Sequence, residues 1–263
     1  MDAMFRFRIW GIMLSLLVLL TASLPGATPE RRVLVYTKNG KGYVHDNLAA
    51  SSAAIQKLGA AHNFAVDVSD DPAVFSDQNL KRYRALIFNN VNNEIFDTEE
   101  QKAAFQRYIR AGGGFVGLHS ACGAMRNWPW FWELVGGKFV RHPKLQTFTI
   151  KVKDSRDIST AHLPKTFSWT DEFYFVDHMP KGRHILLAGD LTTLDDPARE
   201  KYPGRMFGDE FPLAWRRKFE GARTWYTALG HKPEHYSDPK LTQHILGGIL
   251  WAMGQSPRAA RHP

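Results

Sequence analysis

The chain has 263 residues, of which 44% are hydrophobic and 23% are charged, so a disordered or fibrous protein is excluded and one large globular domain is predicted. Its single cysteine, Cys122, excludes an intramolecular disulfide. The formal net charge of +8 comes from scattered Lys and Arg residues, so we expect no nucleic-acid partner and only a weak preference for anionic partners.

The N-terminus has the pattern of a secretory signal peptide. Arg6 and Arg8 precede an apolar stretch over residues 9–20, and small residues follow it. The apolar stretch is short for a membrane span, and an uncleaved N-terminal anchor is the alternative. We therefore predict a signal peptide over residues 1–27 and an exported protein, periplasmic or extracellular, with no stable membrane insertion after cleavage.

Strand and helix patterns alternate through the first half of the mature chain. Short β-rich apolar runs predict buried strands, and apolar residues at helical spacing predict helices between them. The predicted strands cover residues 31–37, 64–70, 84–90 and 114–120, and the predicted helices cover residues 47–61, 76–83 and 97–111. This alternation predicts a parallel sheet with helices on both faces, whose ligands bind at the carboxyl ends of the strands.

The second half has a different pattern, with alternating segments that predict antiparallel strands. The predicted strands cover residues 146–154, 172–176, 184–190, 211–219 and 222–231, with a tight hairpin at Glu220–Gly221 and helices over 128–134 and 241–253. The fold class is therefore α/β. We predict a single domain over residues 28–256, followed by a frayed tail over 257–263.

The stretch GGGFVGLHSACG ends a predicted buried strand at His119, where many α/β enzymes carry a nucleophile. Imidazole is a poor nucleophile for acyl transfer but a good general base, proton donor or metal ligand. The alternative is a histidine that caps the strand end through a backbone hydrogen bond. We expect the side chain to pack against little core, so that its loss costs roughly 1 kcal/mol or less.

Other histidines and acidic residues also lie close to predicted strand ends. These are His45 and Asp46 after the first strand, His142 after a Gly-Gly turn, the pair Asp171 and Glu172, and His231. Several histidines with a carboxylate could bind zinc or another divalent metal, although no local spacing such as His-x-His supports such a site. We expect His45, His119 and His231 to converge, because each follows a strand at one edge of the sheet.

Six segments occur in an order that resembles the ThuA-like (trehalose utilisation) family. They are YVHD, GGGFVGLHSA, WPWFWELVGGKFVRHP, HLPKTFSWTDEFY, PLAWRR and ARTWYTALGH, and the resemblance spans about residues 31–254. It implies a flavodoxin-like fold similar to class I glutamine amidotransferases, and a link to disaccharide and keto-sugar metabolism. His119 stands where an amidotransferase has its catalytic cysteine, so thiol-dependent glutamine hydrolysis is not expected.

The resemblance places recurrent polar positions on seven residues of this chain. They are His45, His119, His142, Asp171, Glu172, Trp215 and His231. The first hypothesis is an exported enzyme, a hydrolase, lyase or isomerase, that acts on a small-molecule carbohydrate. In it His119 and Glu172 are catalytic, and a divalent metal such as zinc is a possible cofactor with His45, His119 and His231 as candidate ligands. The substrate-binding candidates are His45, Asp46, His142, Asp171, Trp215 and His231.

The second hypothesis is a non-catalytic module that binds or senses carbohydrate. Its sugar-stacking residues would be Trp128, Trp215 and Trp225. A third hypothesis, a structural domain of an exported assembly, is disfavoured by the number of histidines at predicted strand ends.

Overall fold

The computed structural model describes residues 31–199 and 208–255. Their central element is a mixed sheet of nine strands. The predicted signal peptide and the predicted tail lie outside these residues. The strands are β1 Arg32–Tyr36, β2 Ala65–Ser69, β3 Ala85–Asn89, β4 Gly114–Leu118, β5 Lys138–Arg141, β6 Gln146–Val152, β7 Thr166–Asp171, β8 Phe175–Asp177, β9 His184–Asp190, β10 Glu210–Phe219 and β11 Ala222–Thr227. The helices are α1 Leu48–His62, α2 Asp77–Leu80, α3 Glu99–Arg110, α4 Pro129–Val135 and α5 Pro239–Ala252.

The sheet has a parallel half and an antiparallel half. Its order is β2-β1-β3-β4-β11-β10-β9-β6-β7, and the first five strands of this order pair in parallel. The remaining strands pair antiparallel. An order of 2-1-3-4 with a fifth parallel strand is that of flavodoxin-like folds. The predicted fold class, a parallel sheet with antiparallel strands in the C-terminal half, is therefore confirmed.

Helices cover both faces of the parallel half. On one face the Phe105 ring of α3 packs on Phe88 and Phe115, with ring centroids 5.0 and 6.2 Å away. On the other face α5 lies so close to β11 that a Cβ atom at Gly248 would stand 2.3 Å from the ring of Trp225. None of the helices in the described ranges is long and apolar enough to cross a membrane.

Local signals in the sequence set several element boundaries. The Thr98 hydroxyl accepts a hydrogen bond from the backbone N–H of Gln101, and the Gln101 side chain accepts one in return, which starts α3 with a capping box. The predicted hairpin at Glu220–Gly221 joins β10 to β11. Both of its residues have positive φ, +45° and +95°, as a two-residue turn between twisted strands requires.

The sequence prediction was wrong for part of the antiparallel half. β5 and β7 were not predicted, and the predicted strand over residues 172–176 is interrupted. Only its last two residues enter a strand, β8, which pairs with β5 in a separate two-stranded sheet. The consecutive side chains of Phe173 and Tyr174 are both buried, whereas a half-exposed strand would bury only every second one. The run of consecutive aromatic residues therefore indicates an irregular buried segment and not a half-exposed strand.

The antiparallel half folds back over the edge of the parallel half. Four strand spacings separate β7 from β11, so a flat sheet would hold them about 19 Å apart. Nevertheless the carboxylate of Asp171, at the end of β7, accepts a hydrogen bond of 2.8 Å from the backbone N–H of Gly230, which follows β11. The residues that follow β7 are thereby brought to the carboxyl ends of the parallel strands.

Candidate functional site

Four side chains converge at the carboxyl edge of the parallel strands. His45 follows β1, His119 follows β4, His231 follows β11, and Glu172 comes directly after β7. One nitrogen or oxygen atom of each lies within 4.8 Å of the corresponding atom of every other. The structure thus brings the three predicted histidines together and adds a carboxylate from the antiparallel half.

A sharp turn after β4 presents His119 to this cluster. His119 has φ = +46°, a conformation that few residues other than glycine adopt, and it starts a short 3-10 turn. Gly117 leaves room for the turn, because a Cβ atom there would lie 3.1 Å from the Tyr226 ring. The Tyr226 hydroxyl in turn donates a 2.8 Å hydrogen bond to the carbonyl of His119. This is the backbone geometry of a nucleophile elbow, with an imidazole at its apex.

The imidazole of His119 is fully buried, contrary to the expectation that it packs against little core. Its Nδ1 lies 2.7 Å from the carbonyl oxygen of Ala228, and its ring stacks on Tyr174 with centroids 4.2 Å apart. The unpredicted segment after β7 supplies Tyr174 and therefore covers the sheet edge. Since a carbonyl accepts only from a protonated nitrogen, Nδ1 carries a proton, and Nε2 is the nitrogen that faces the cluster and could bind a metal.

Three of the distances between the polar atoms are close to those expected around a shared divalent cation. His119 Nε2 lies 3.1 Å from His45 Nε2 and 3.5 Å from Glu172 Oε2, and His231 Nδ1 lies 3.2 Å from the same oxygen. Ligands at about 2.0–2.2 Å from a tetrahedral zinc ion stand about 3.3–3.5 Å from one another. His231 Nδ1 is buried and lacks a hydrogen bond of good geometry despite its close oxygen. The donor set, three imidazoles and one carboxylate, is one that zinc and similar metals accept.

Burial and mutual proximity shift the proton affinities of the cluster. Burial, with the neighbouring His119 and His231, lowers the pKa of His45 to about 3. Burial alone would raise the pKa of Glu172, but the close approach of His119 and His231 outweighs it and holds that pKa well below its usual range. The adjacent Glu172 carboxylate raises the pKa of His231 despite burial. A neutral His45 and an ionised Glu172 are the forms that bind a metal, whereas the raised pKa of His231 favours a protonated ring whose proton a metal would displace.

Two buried side chains form hydrogen bonds with every backbone N–H and carbonyl group of Gly230 and His231. Asp171 accepts hydrogen bonds from the two N–H groups, at 2.8 and 3.2 Å. Asn47 donates through Nδ2 to the two carbonyls, at 2.7 and 2.9 Å. The loop that carries His231 is therefore fixed from β7 and from the start of α1 at once.

This arrangement corrects the interpretation of Asp171 as a substrate-binding residue. Its carboxylate is fully buried and also accepts from Trp169 Nε1 and from the backbone N–H of Glu172, so none of it faces a ligand. Asn47 was missed as a site residue. Its only signal in the sequence is that it follows His45 and Asp46 directly, a position that is more usual for a helix cap.

His142 and Asp46 differ in their relation to the cluster. His142 Nε2 lies 3.4 Å from Glu172 Oε1, whereas His119 and His231 approach the other carboxylate oxygen, Oε2, and the His142 side chain is 36% exposed. It stands at the mouth of the site. Asp46 is exposed and does not belong to the group of four donors.

Two of the three tryptophans proposed to stack on sugars are buried in the core, which corrects those assignments. The Trp215 side chain is 1% exposed, and its Nε1 donates to the carbonyl of Val135 at 2.8 Å. Trp225 is equally buried beneath α5. Both lie on interior strands of the sheet, where each face is covered. Trp128 is half-buried and stacks on Trp130.

The only cysteine is unsuited to thiol chemistry. Cys122 is 1% exposed, and burial raises the pKa of its thiol to about 12. The nucleophilic form of cysteine is the thiolate, which this environment disfavours. Its Sγ lies 2.9 Å from the Tyr226 hydroxyl oxygen, which can accept the thiol proton while its own proton goes to the carbonyl of His119, so the residue helps to hold the turn at His119.

The sequence matches the model of the ThuA family, described as trehalose utilisation, over residues 32–252. The chain belongs to the ThuA family. No curated protein matches it in sequence.

Solved ThuA-like structures share the fold. One from Bacteroides uniformis has a TM-score of 0.67 at 21% identity and covers 88% of this chain and 94% of its own. Another, from Parabacteroides merdae, has a TM-score of 0.67 at 18% identity, with 87% and 94% covered. A β-galactosidase from Bacillus circulans has a TM-score of 0.55 at 13% identity and covers 87% of this chain but 32% of its own. At these identities the likeness of this ThuA-family chain to all three extends to the fold alone.

Proposed function

We propose that the chain is an enzyme that acts on disaccharides or keto-sugar derivatives through a divalent cation, with zinc as the first candidate, held by His45, His119, Glu172 and His231. The observation that carries the proposal is the convergence of their four ligand atoms within 4.8 Å, with His45 and His119 buried and Glu172 and His231 partly buried. Several imidazoles and a carboxylate withdrawn from water at one point are costly, and a cation would offset that cost.

The surroundings of the cluster support a metal site. Histidine ligands usually donate their second ring N–H to a carbonyl or carboxylate, which fixes the ring. His119 does this through Nδ1 to Ala228. The clamp of Asp171 and Asn47 fixes the backbone of His231 in a comparable way. A bound cation would supply a Lewis acid for a sugar carbonyl or hydroxyl oxygen.

His142 is the side chain best placed to move a proton. Its Nδ1 lies 2.8 Å from the carbonyl oxygen of Pro143, so Nδ1 carries a proton and Nε2 is the nitrogen that would exchange one at the mouth of the site. Glu172 Oε1, 3.4 Å from Nε2, would stabilise a positive charge on the ring during that exchange. A base beside an electrophilic site is what proton abstraction next to a ketone needs, so lyase or isomerase chemistry on a keto-sugar is favoured over simple hydrolysis.

The proposed substrate class rests on the family, whose description is trehalose utilisation. The second hypothesis, a sugar-sensing module, loses two of the three tryptophans on which it depended. Export is proposed from the signal-peptide pattern of residues 1–27.

Metal analysis and a proton-exchange assay test this function together. We expect about one divalent ion per chain in protein purified without chelator, and loss of the ion in Glu172→Gln but not in the exposed control Glu133→Gln. Incubation with trehalose, maltose and their 3-keto derivatives in heavy water should introduce deuterium next to the carbonyl of a keto form. A chelator should stop the exchange, and added zinc should restore it.

Two results would contradict the proposal. If the protein binds no divalent ion even when zinc is added, the proposed metal site is wrong. If exchange or turnover continues in the presence of the chelator, the cation has no role in the reaction.

A further inference from the structure

An aromatic ring stands exposed at the mouth of the proposed metal site. Tyr43 is 60% exposed and its neighbour Val44 is 50% exposed, the highest values among the large hydrophobic side chains in the described ranges. The Tyr43 ring meets the His45 ring edge-on, with centroids 4.8 Å apart and planes at 90°.

The loop that carries Tyr43 is held firmly by the segment after β3. The backbone N–H of Gly40 donates to the carbonyl of Asn92 at 2.9 Å, and Asn92 Nδ2 donates to the carbonyl of Tyr43 at 3.4 Å. Gly42 has φ = +138°, and a Cβ atom there would lie 2.7 Å from Asn93 Nδ2. The Tyr43 ring therefore has a defined position although it is largely exposed, and its exposed face is accessible to a ligand.

A second exposed apolar side chain lies close to the site in sequence. Leu145 is 39% exposed and follows His142 by three residues, and His142 contacts Glu172. With the Tyr43 ring beside His45, a ligand at the mouth therefore meets an apolar surface as well as imidazole and carboxylate groups. A pyranose ring has matching surfaces, because its C–H groups form apolar faces and its oxygens project from the edge. A wholly apolar partner would leave the polar centre unpaired, which is unfavourable.

We propose that Tyr43 is the platform on which a pyranose ring of the substrate stacks while one of its oxygens reaches the metal site. The inference rests on the proposed function, since it names the part of the site that would recognise the sugar. A ring stacked beside His45 also lies within reach of His142, so Tyr43 would orient the sugar for proton transfer. Stacking on an aromatic side chain is tolerant of the aromatic residue present, provided that a flat ring remains.

Calorimetric titration with trehalose, maltose and methyl α-glucoside tests the platform in zinc-loaded protein. Tyr43→Ala should weaken the binding of the tightest of these sugars roughly fivefold to tenfold, as the loss of one aromatic contact implies. Tyr43→Phe and Tyr43→Trp should stay within about twofold of the natural protein. Zinc content and melting temperature should not change in any of the three variants. Val68→Ala, which removes an exposed apolar side chain on β2, is the control.

The outcomes separate this inference from the proposed function. Unchanged sugar binding by Tyr43→Ala, with the natural protein binding sugar, would overturn the platform and leave the metal-dependent enzyme standing. If the natural protein binds none of the three sugars, the proposed role of Tyr43 as a platform is wrong. The zinc content of the same protein tests the metal site independently. Self-association that disappears in Tyr43→Ala, with sugar binding intact, would assign Tyr43 to a contact between copies instead.

Discussion

The two ring nitrogens of His119 serve different purposes. Nδ1 satisfies the carbonyl of Ala228 at the end of β11, and Nε2 belongs to the cluster of candidate metal ligands. The His119 imidazole therefore has a structural role through Nδ1 and a proposed functional role through Nε2. An alanine substitution cannot separate them, because it removes both nitrogens and leaves a buried carbonyl without a partner.

An asparagine at this position separates the two nitrogens. The Nδ2 group of Asn can replace Nδ1 as donor to Ala228, and Asn tolerates the positive φ of His119 better than most residues do. We expect His119→Asn to lie within about 1 kcal/mol of the natural stability and to lose zinc binding. His119→Ala should lose zinc binding and a further 1–3 kcal/mol, roughly, from the unpaired carbonyl. Urea unfolding and zinc titration measure both effects, and an Asn variant that still binds zinc at natural affinity would remove His119 from the ligand set.

The sequence was sufficient to predict the histidines of the cluster but not the role of each acidic residue. His45, His119 and His231 could be grouped because the parallel strands that precede them end at one edge. Which of Asp171 and Glu172 faces the site depends on the pleat of β7 and on the irregular segment after it, neither of which leaves a periodic signal. Trp215 was misassigned because the resemblance includes it among the recurrent positions and tryptophan suits sugar rings, whereas β10 is an interior strand of the sheet and buries it.

At the scale of elements, the loop after β11 is the point where both halves of the sheet meet. Asn47 reaches it from the start of α1, and Asp171 reaches it from the end of β7. The position of His231 is therefore set by groups that lie far apart in sequence. A small shift of this loop would move one ligand relative to the other three, and metal affinity depends steeply on such geometry.

Asp171→Asn tests this clamp. An asparagine directs an N–H group where Asp171 accepts from the backbone, so at least one buried donor loses its partner. We expect a loss of about 1–3 kcal/mol in the free energy of unfolding and a 10- to 100-fold loss of zinc affinity, roughly. Asp157→Asn is the matched control. Asp157 is also buried and accepts from Ser159 and Arg216, so its variant should lose stability with no change in zinc affinity. Equal zinc affinity in both variants would show that Asp171 is purely structural.

Most elements of the parallel half, and the antiparallel strands β6, β9 and β10, were predicted closely, whereas β5 and β7 were not. β1, α1, β3, α3 and β4 were predicted nearly to their ends, because buried parallel strands and amphipathic helices produce clear hydrophobic patterns. β7 was missed although its exposed polar residues alternate with more buried aromatic ones, which is the pattern of a half-exposed strand. Its pairing with β6, a contact distant in sequence, makes it an edge strand of the sheet.

For the whole molecule, the site exists only when both halves of the sheet are in place. The parallel half supplies three imidazoles, and the antiparallel half supplies Glu172 and, through Asp171, the position of His231. Cation binding should therefore be coupled to global folding, since an unfolded chain would not hold four such ligands together. Measurements of intrinsic stability need a chelator for that reason.

Acid should destabilise the molecule partly through His244, a buried histidine of α5. Its Nδ1 lies 2.7 Å from the carbonyl of Ser159, and burial lowers its pKa to about 4. An unfolded histidine titrates near pH 6.5, so below that value the unfolded chain binds a proton that the folded chain does not. The free energy of unfolding is therefore not reduced by His244 above about pH 6.5. As the pH falls from there towards 4, the free energy of unfolding decreases by a few kcal/mol in total.

His244→Asn isolates this contribution. Its Nδ2 group can still donate to Ser159, but the side chain no longer titrates. In urea unfolding at pH 7, 6, 5 and 4.5 with a chelator present, the free energy of unfolding of the variant should fall less steeply than that of the natural protein. His45, whose pKa burial also lowers, leaves part of the slope in both proteins. His62→Asn, which replaces an exposed histidine, should follow the natural curve. Parallel curves for His244→Asn and the natural protein would mean that His244 gains its proton without unfolding the chain, by way of water that enters beside α5.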